Sequence, residues 1–220
     1  MKILKPQKIL FEKLEKIENL LEKVGKSDII NNINLENCKE EHIEINDITI
    51  EKSIVKNTDI INSNLSGNTF IDIDFENCNF ANTSFENCAF IRCEFNNCKM
   101  TGDSFIDSKL YNVSIIESNM DYTNFAMASM ENILFENTIL RNSNFQENKL
   151  KNIILKKVDL TRAQFFKTNL KGLDLSDSII DGIIVSLEDI RGVMINEFQA
   201  VDLIGLIGVK VRRFLDARSI

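Results

Sequence analysis

The chain has 220 residues, of which 44% are hydrophobic, and a formal net charge of −7, so it is long enough for one well-packed domain. No apolar run approaches the length of a transmembrane helix, and the acidic balance argues against direct binding to nucleic acid or to a membrane surface. The cysteine count, five, is odd, and Lys and Glu interrupt the N-terminal apolar residues too often for a signal peptide. We therefore expect a reduced, cytoplasmic protein.

Residues 1–30 form the first segment, and their pattern predicts an amphipathic α-helix. Pro6 suits the first helical position and Gly25 suits the residue just past a helix end. Between them, apolar residues are spaced by 4, 3, 4 and 3 positions, at Leu10, Leu14, Ile17, Leu21 and Val24. This heptad seam could pack on the protein's own core or form a short coiled coil with another chain.

A five-residue period dominates residues 31–190. From Ile45 to Ile190 every position divisible by five is apolar, over 30 successive positions. The positions two before these are mostly small or β-branched, and all five cysteines share that phase (Cys38, Cys78, Cys88, Cys93, Cys98). A strand repeats every two residues and an amphipathic helix every 3.6, so neither accounts for the pattern. Two inward residues in every five instead predict a chain that turns a corner after each short segment.

Four such segments would close one square coil of 20 residues, and successive coils would stack about 4.8 Å apart. Asn recurs two positions after the large apolar residue, which suits a corner because Asn tolerates left-handed backbone angles. The coil length also predicts one internal ladder of aromatic rings, made by Phe85, Phe105, Phe125, Phe145 and Phe165.

These repeats resemble those of the pentapeptide-repeat proteins, which have a small residue, Asp or Asn, Leu or Phe, and two variable positions. SNLSG at 63–67, TNFAM at 123–127 and TNLKG at 168–172 match directly. The resemblance implies an all-β solenoid, a right-handed quadrilateral parallel β-helix, over residues 31–190, with its regular part from about 43 to 185. We expect an N-terminal α-helix before it and a helical cap after it.

The last segment, residues 191–220, is predicted to be that cap and a dimerisation segment. SerLeuGluAsp at 186–189 has the pattern of a helix start, and Asn196 with Gln199 repeats it before an apolar run that ends at Gly208. The segment is similar to the C-terminal segment of Qnr-type quinolone-resistance proteins. That similarity implies a homodimer, with an interface formed by Phe198, Val201, Ile204, Leu206 and Ile207.

No convergent catalytic site is predicted, so we do not expect an enzyme, a cofactor or a metal. His42 is the only histidine and lies in the irregular start of the repeats. The cysteines from Cys78 to Cys98 are spaced 10, 5 and 5 residues apart, which directs them to different faces of the coil. We expect reduced, buried thiols that act as small apolar residues.

The acidic residues are concentrated in one part of the chain: residues 31–136 hold 6 basic and 18 acidic side chains. The Qnr-type resemblance implies a DNA mimic that binds a type II topoisomerase, DNA gyrase or topoisomerase IV, and protects it from quinolones. The contact would use the outward acids Glu76, Glu86, Glu94, Asp103, Asp107, Glu117, Asp121, Glu131 and Glu136. Alternatively, the chain is a protein-interaction scaffold that uses the N-terminal helix or an apolar stripe of Ile71, Ile91 and Tyr111.

Overall fold

The computed structural model describes residues 3–7, 13–25 and 27–211, without the side chain of Ile207. The described chain is a parallel β-solenoid followed by one α-helix, α1, at Glu197–Ile204. The strands are β1 Glu15–Ile17, β2 Ile29–Asn31, β3 Ile33–Glu36, β4 Lys39–Glu41, β5 Thr49–Lys56, β6 Asp59–Ile61, β7 Thr69–Glu76, β8 Ala89–Ile91, β9 Glu94–Asn96, β10 Lys109–Ile116, β11 Ser129–Glu136 and β12 Lys149–Lys156. None of the helices in these ranges is long and apolar enough to cross a membrane.

The strands pair in parallel, and from β2 onward paired residues lie 20 positions apart along the chain, whereas β1 and β3 pair at an offset of 18. Leu110 of β10 lies beside Met130 of β11, which lies beside Leu150 of β12. Isolated bridges keep the same offset on the other two sides of the coil, as at Asn124 and Asn144. The predicted coil length is therefore confirmed, while the right hand of the coil stays a prediction.

The corners are formed by residues with positive φ, one in every five. From Asn32 to Gly172 every position two after a multiple of five has a φ between 48° and 82°. Asn occupies many of these corners because its short polar side chain tolerates the left-handed region better than most residues do. With a 20-residue coil, this spacing gives four corners in each turn.

The apolar residues at multiples of five form the core. Of the 30 predicted positions, all but Leu150, Leu155 and Ile190 are buried. The Phe ladder is internal, with stacked rings whose centroids lie 5.0–5.1 Å apart from Phe85 to Phe165.

The backbone pairing of strands on this side of the coil ends at β12, which explains the exceptions at Leu150 and Leu155. No backbone hydrogen bond joins residues 149–156 to 169–176, two segments that the structure describes in full, although the other two sides of the same coil remain paired. In the later coil the continuous strand is replaced by tight turns, in which the amide of Leu173 donates to the carbonyl of Leu170 at 3.0 Å. These turns leave Leu150, Ile153 and Leu155 covered on one side only, so they are half-buried.

The predicted N-terminal α-helix is wrong for the residues that the structure describes; Leu10 lies outside them. Residues 13–25 contain strand β1 and a 3-10 helix at Leu20–Glu22. Strand β3 lies at the edge of the first coil, and β1 covers that edge by pairing with it in parallel. Ile17 and Leu20 are buried on the core. Strand β1 provides hydrogen-bond partners for backbone groups of this edge, which a docked helix would leave unpaired.

The solenoid continues to Ile195, beyond the predicted start of the C-terminal helices. Ser186 accepts a hydrogen bond from the amide of Asp189, as a helix cap would, but only a turn follows. A helix start at 186–189 is therefore wrong, because the chain makes one more corner and Met194 pairs with Asp174. The second signal is confirmed: Asn196 and Gln199 form a capping box at the start of α1.

Candidate functional site

Eight of the nine predicted acids reach the surface of the coil. Asp107 and Glu117 are exposed and the other six are half-buried. Four of them contact a lysine: Glu76 pairs with Lys56, Glu94 with Lys5, Glu131 with Lys151 and Glu136 with Lys156. The acids do not share one face, since Glu86 and Asp107 lie near a different corner from Glu117 and Glu136.

Asp103 is the ninth predicted acid, and its assignment as an outward contact is wrong. It occupies the inward small-residue position between Thr83 and Thr123 and is 0% exposed. Its Oδ1 accepts the amide of Thr83 at 3.1 Å, and Oδ2 has no hydrogen-bond partner in the described part of the chain. Burial raises the pKa of Asp103 well above its usual range, although backbone hydrogen bonds partly oppose the shift.

One side of the coil carries the densest group of carboxylates. Asp74 and Glu94 lie side by side on β7 and β9. At the next corner of the coil, Glu117 is a corner residue, and Glu76 and Glu136 each directly precede one. Burial raises the pKa of Asp74, and the neighbouring Glu94 carboxylate adds to the shift. We call these five residues the acidic face.

The predicted apolar stripe is in register but only partly exposed. Ile71, Ile91 and Tyr111 lie beside one another on β7, β8 and β10. Tyr111 is 42% exposed, whereas both isoleucines are half-buried. The stripe therefore offers one prominent aromatic side chain.

The corner beside this stripe holds a polar cluster that sequence reasoning missed. Asp72, Arg92 and Asn112 stack there, and Arg92 binds both carboxylate oxygens of Asp72 at 2.7 and 2.8 Å. Residues 3–7 cross the cluster: the amide of Gln7 donates to Asp72 and that of Leu4 donates to Asn112. The sequence did hold one indication of this cluster. Asp72 and Arg92 are 20 residues apart at corner positions, where Asn is the common residue.

The five cysteines are free and buried. The thiol of Cys88 donates to the carbonyl of Leu65 at 3.0 Å, and Cys78 donates likewise to Val55 at 3.3 Å. Burial raises the pKa of Cys88 and of Cys93 to about 12. The Cys88 and Cys93 thiols are therefore held protonated and out of reach of solvent, as small inward residues.

The C-terminal helix is fixed to the last coil on one face and is exposed on the other. Gln199 is buried and donates to the carbonyls of Leu175 and Ser178 at 2.8 and 2.6 Å. On the opposite face Phe198 is 78% exposed, and Val201, Ile204 and Leu206 are also exposed. The side chain of Ile207 lies outside the described residues.

Models of known protein families match the central coils. A pentapeptide repeat region matches residues 88–165, and pentapeptide repeats (8 copies) match residues 69–102 and 149–182. The chain belongs to the pentapeptide-repeat family. Together the matches span residues 69–182. No curated protein sequence is significantly similar to the chain.

Solved structures with this fold include a trypsin-treated variant of QnrB1, a plasmid-mediated fluoroquinolone resistance protein. It is 16% identical, with a TM-score of 0.51, over 81% of this chain and 100% of that one. HetL from the cyanobacterium Nostoc is 13% identical with a TM-score of 0.39, over 83% of this chain and 94% of that one. A pentapeptide repeat protein of the Arabidopsis thaliana thylakoid lumen is 19% identical with a TM-score of 0.32, over 60% and 72%. At 16% identity the likeness to the QnrB1 variant shows the fold alone.

Proposed function

We propose that this pentapeptide-repeat protein is a non-enzymatic, right-handed four-sided rod that binds a type II topoisomerase in place of DNA. The acidic face is the observation that carries the proposal. Its carboxylates occupy successive coils, which stack about 4.8 Å apart. A stiff rod with regularly spaced negative charge can compete for a cationic surface shaped for a double helix. Quinolone protection would follow if the bound rod displaced DNA from the enzyme.

The lysines that contact these acids leave the proposal intact. In the acidic face, the lysines that pair with Glu94 and Glu136 have side chains that are 75% and 53% exposed, and Lys56, which pairs with Glu76, is 29% exposed. Ion pairs between solvent-exposed groups contribute only about 0–1 kcal/mol, so a partner can replace one member. Glu117 is exposed and has no ion pair within the described ranges.

Charge reversal on the acidic face tests this function. We expect Glu76→Lys, Glu117→Lys and Glu136→Lys together to abolish binding to DNA gyrase and topoisomerase IV, with the fold retained. Lysine is tolerated at the Glu117 corner, because Lys157 and Lys167 adopt the same positive φ. Binding of the unmodified chain should weaken steeply with salt.

The matched control reverses three exposed acids near the C-terminal end, Asp177, Asp181 and Glu188, with the same change in net charge. It should retain binding, and supercoiling assays with a quinolone should show protection by this control and not by the acidic-face variant. If the unmodified chain binds neither enzyme at low salt, the mimic proposal is wrong. The second candidate, an interaction scaffold, then takes precedence, and exposed Tyr111 is the observation that favours it.

We also propose that α1 caps the rod and joins two copies of the chain through a two-fold interface. Exposed apolar residues are concentrated at this end: Phe198, Val201, Ile204, Leu206, Val209 and Val211. An exposed apolar group of this kind is typical of an interface. The side chain of Gln199 fixes the orientation of the helix, so the two exposed faces can meet without rearrangement.

Phe198→Glu should convert the dimer to a monomer in sedimentation experiments, because it places a charge at the most exposed apolar position of the helix. Tyr122→Glu is the control: Tyr122 is 64% exposed on a distant corner of the rod. An unchanged oligomeric state in Phe198→Glu would place the interface elsewhere.

A further inference from the structure

The N-terminal residues 3–7, here called the strap, lie along one corner of the rod as an extended segment. The amide of Gln7 donates to Asp72 Oδ1 at 3.0 Å, and the amide of Leu4 donates to Asn112 Oδ1 at 3.3 Å. Asp72 and Asn112 are two coils apart, so the strap runs across the coils rather than along a strand. It adds no strand to the solenoid.

The strap changes the environment of this corner. Asp72 and Asn112 are each only 1% exposed, whereas the equivalent corner residues Lys52 and Asn152 are exposed. Burial alone would raise the pKa of Asp72, but hydrogen bonds from Arg92 and from the Gln7 amide together lower it. The carboxylate is therefore held in its charged, hydrogen-accepting form.

The contacts to the strap use groups that any extended peptide offers. Two contacts are made by backbone amides, and the third is an ion pair between Lys5 and Glu94 at 3.6 Å. Asp74 lies beside Glu94 and adds to the negative charge facing that lysine. In addition, the buried Nδ2 of Asn112 has no hydrogen-bond partner in the described part of the chain, so it can donate to one more carbonyl.

We propose that Asp72, Arg92, Glu94 and Asn112 form a peptide-binding groove that the strap occupies in the free protein and that an extended, lysine- or arginine-containing segment of a partner protein can occupy instead. Backbone amides would bind Asp72 and Asn112, and the basic side chain would bind Glu94. The proposal is independent of topoisomerase binding, since it rests on the strap contacts.

A labelled synthetic peptide of residues 1–8, MKILKPQK, is the probe. The full-length chain with Leu4→Pro and Gln7→Pro lacks both donor amides, which loosens its own strap. We expect this chain to bind the peptide at one site, at least tenfold more tightly than the unmodified chain does. Adding Glu94→Lys should weaken binding at least tenfold, and a peptide with Lys5→Glu should restore it.

Glu117→Lys in the loosened chain is the matched control, because Glu117 is an exposed acid on the next corner, and it should leave peptide binding unchanged. The absence of saturable binding, or binding that is indifferent to Glu94→Lys, would overturn the proposal. If the loosened chain does not fold, amide hydrogen exchange of the unmodified chain tests the proposal instead. Excess peptide should then remove protection from the Leu4 and Gln7 amides, and retained protection would overturn the proposal.

Discussion

Replacing Phe125 by Ala should destabilise the protein by about 3–5 kcal/mol, the usual cost of removing a buried aromatic ring. Phe125 is 0% exposed and lies in the middle of the internal ladder. Its ring stacks between Phe105 and Phe145 at 5.1 and 5.0 Å and meets Phe135 edge-on. The coils above and below are held by their own backbone pairing, so they cannot collapse into the space left behind.

Urea denaturation followed by circular dichroism measures this loss. Phe166→Ala is the control, because Phe166 is 50% exposed on the outside of the ladder and its removal should change the free energy of unfolding by less than about 0.5 kcal/mol. Similar effects for both variants would contradict a core formed by the every-fifth residues. Each coil contacts only its neighbours, so unfolding in two steps would indicate that the substitution divides the rod into separate cooperative units.

The coil itself was predictable because the period of five has one structural solution. Each part of the pattern determines a different feature. The large residues at multiples of five form the core, the small residues two before them fill the tight inward positions, and the Asn residues two after them form the corners. The structure places Phe80 inside, Cys78 inside and Asn82 at positive φ, as these three patterns require. A parallel ladder with a 20-residue offset follows from stacking four such segments.

The N-terminal segment was not predictable because its apolar spacing fits more than one backbone. Leu14, Ile17 and Leu21 would line one face of a helix, but the decisive factor is the edge of β3, with which β1 pairs at an offset of 18 residues. Glu40 stands at the multiple of five just before the apolar series begins at Ile45, and its side chain is explained by the same N-terminal segment. It is buried and accepts the amide of Leu20 at 3.0 Å. The Glu40 carboxylate, at a position that holds a large apolar residue elsewhere in the repeats, therefore meets a backbone amide from outside the repeats.

Whether an acidic side chain lies on the surface could be predicted only from its position within the five-residue repeat. Glu117 and Glu136 occupy outward positions and are accessible. Asp103 occupies the same repeat position as Thr83 and Thr123, which is an inward position. Its repeat position therefore predicted burial, whereas its charge alone suggested that it lies on the surface. The strap contacts with Asp72 and Asn112 depend on the tertiary position of residues 3–7, which no local pattern specifies.

The inward position of Asp103 normally holds a hydrogen-bond donor. Thr83 and Thr123 each donate to a carbonyl 23 residues earlier, and so do the side-chain amides of Asn68 and Asn148. An ionised carboxylate has no proton to donate, and its Oδ2 has no partner in the described structure. A protonated Asp103 could donate to the carbonyl of Phe80, which is the equivalent group. The folded protein should therefore hold a proton at Asp103 that the unfolded chain releases above about pH 4.

Asp103→Asn should therefore stabilise the protein, by an amount that grows with pH. Because folding raises the pKa of Asp103, its contribution to stability is complete below the unfolded pKa and is lost as the pH rises through the folded pKa. The Asn amide supplies the donor permanently, as Asn68 does, while its oxygen keeps the bond from Thr83. At pH 4 the variant and the unmodified chain should have similar urea midpoints. At pH 7 the variant should be more stable by about 1–3 kcal/mol, because the unfolded chain gains free energy by ionising Asp103 while the folded chain holds the proton. Asp177→Asn, at an exposed site, is the matched control for the loss of one carboxylate. A constant difference between pH 4 and pH 8 would mean that Asp103 does not change its protonation on folding.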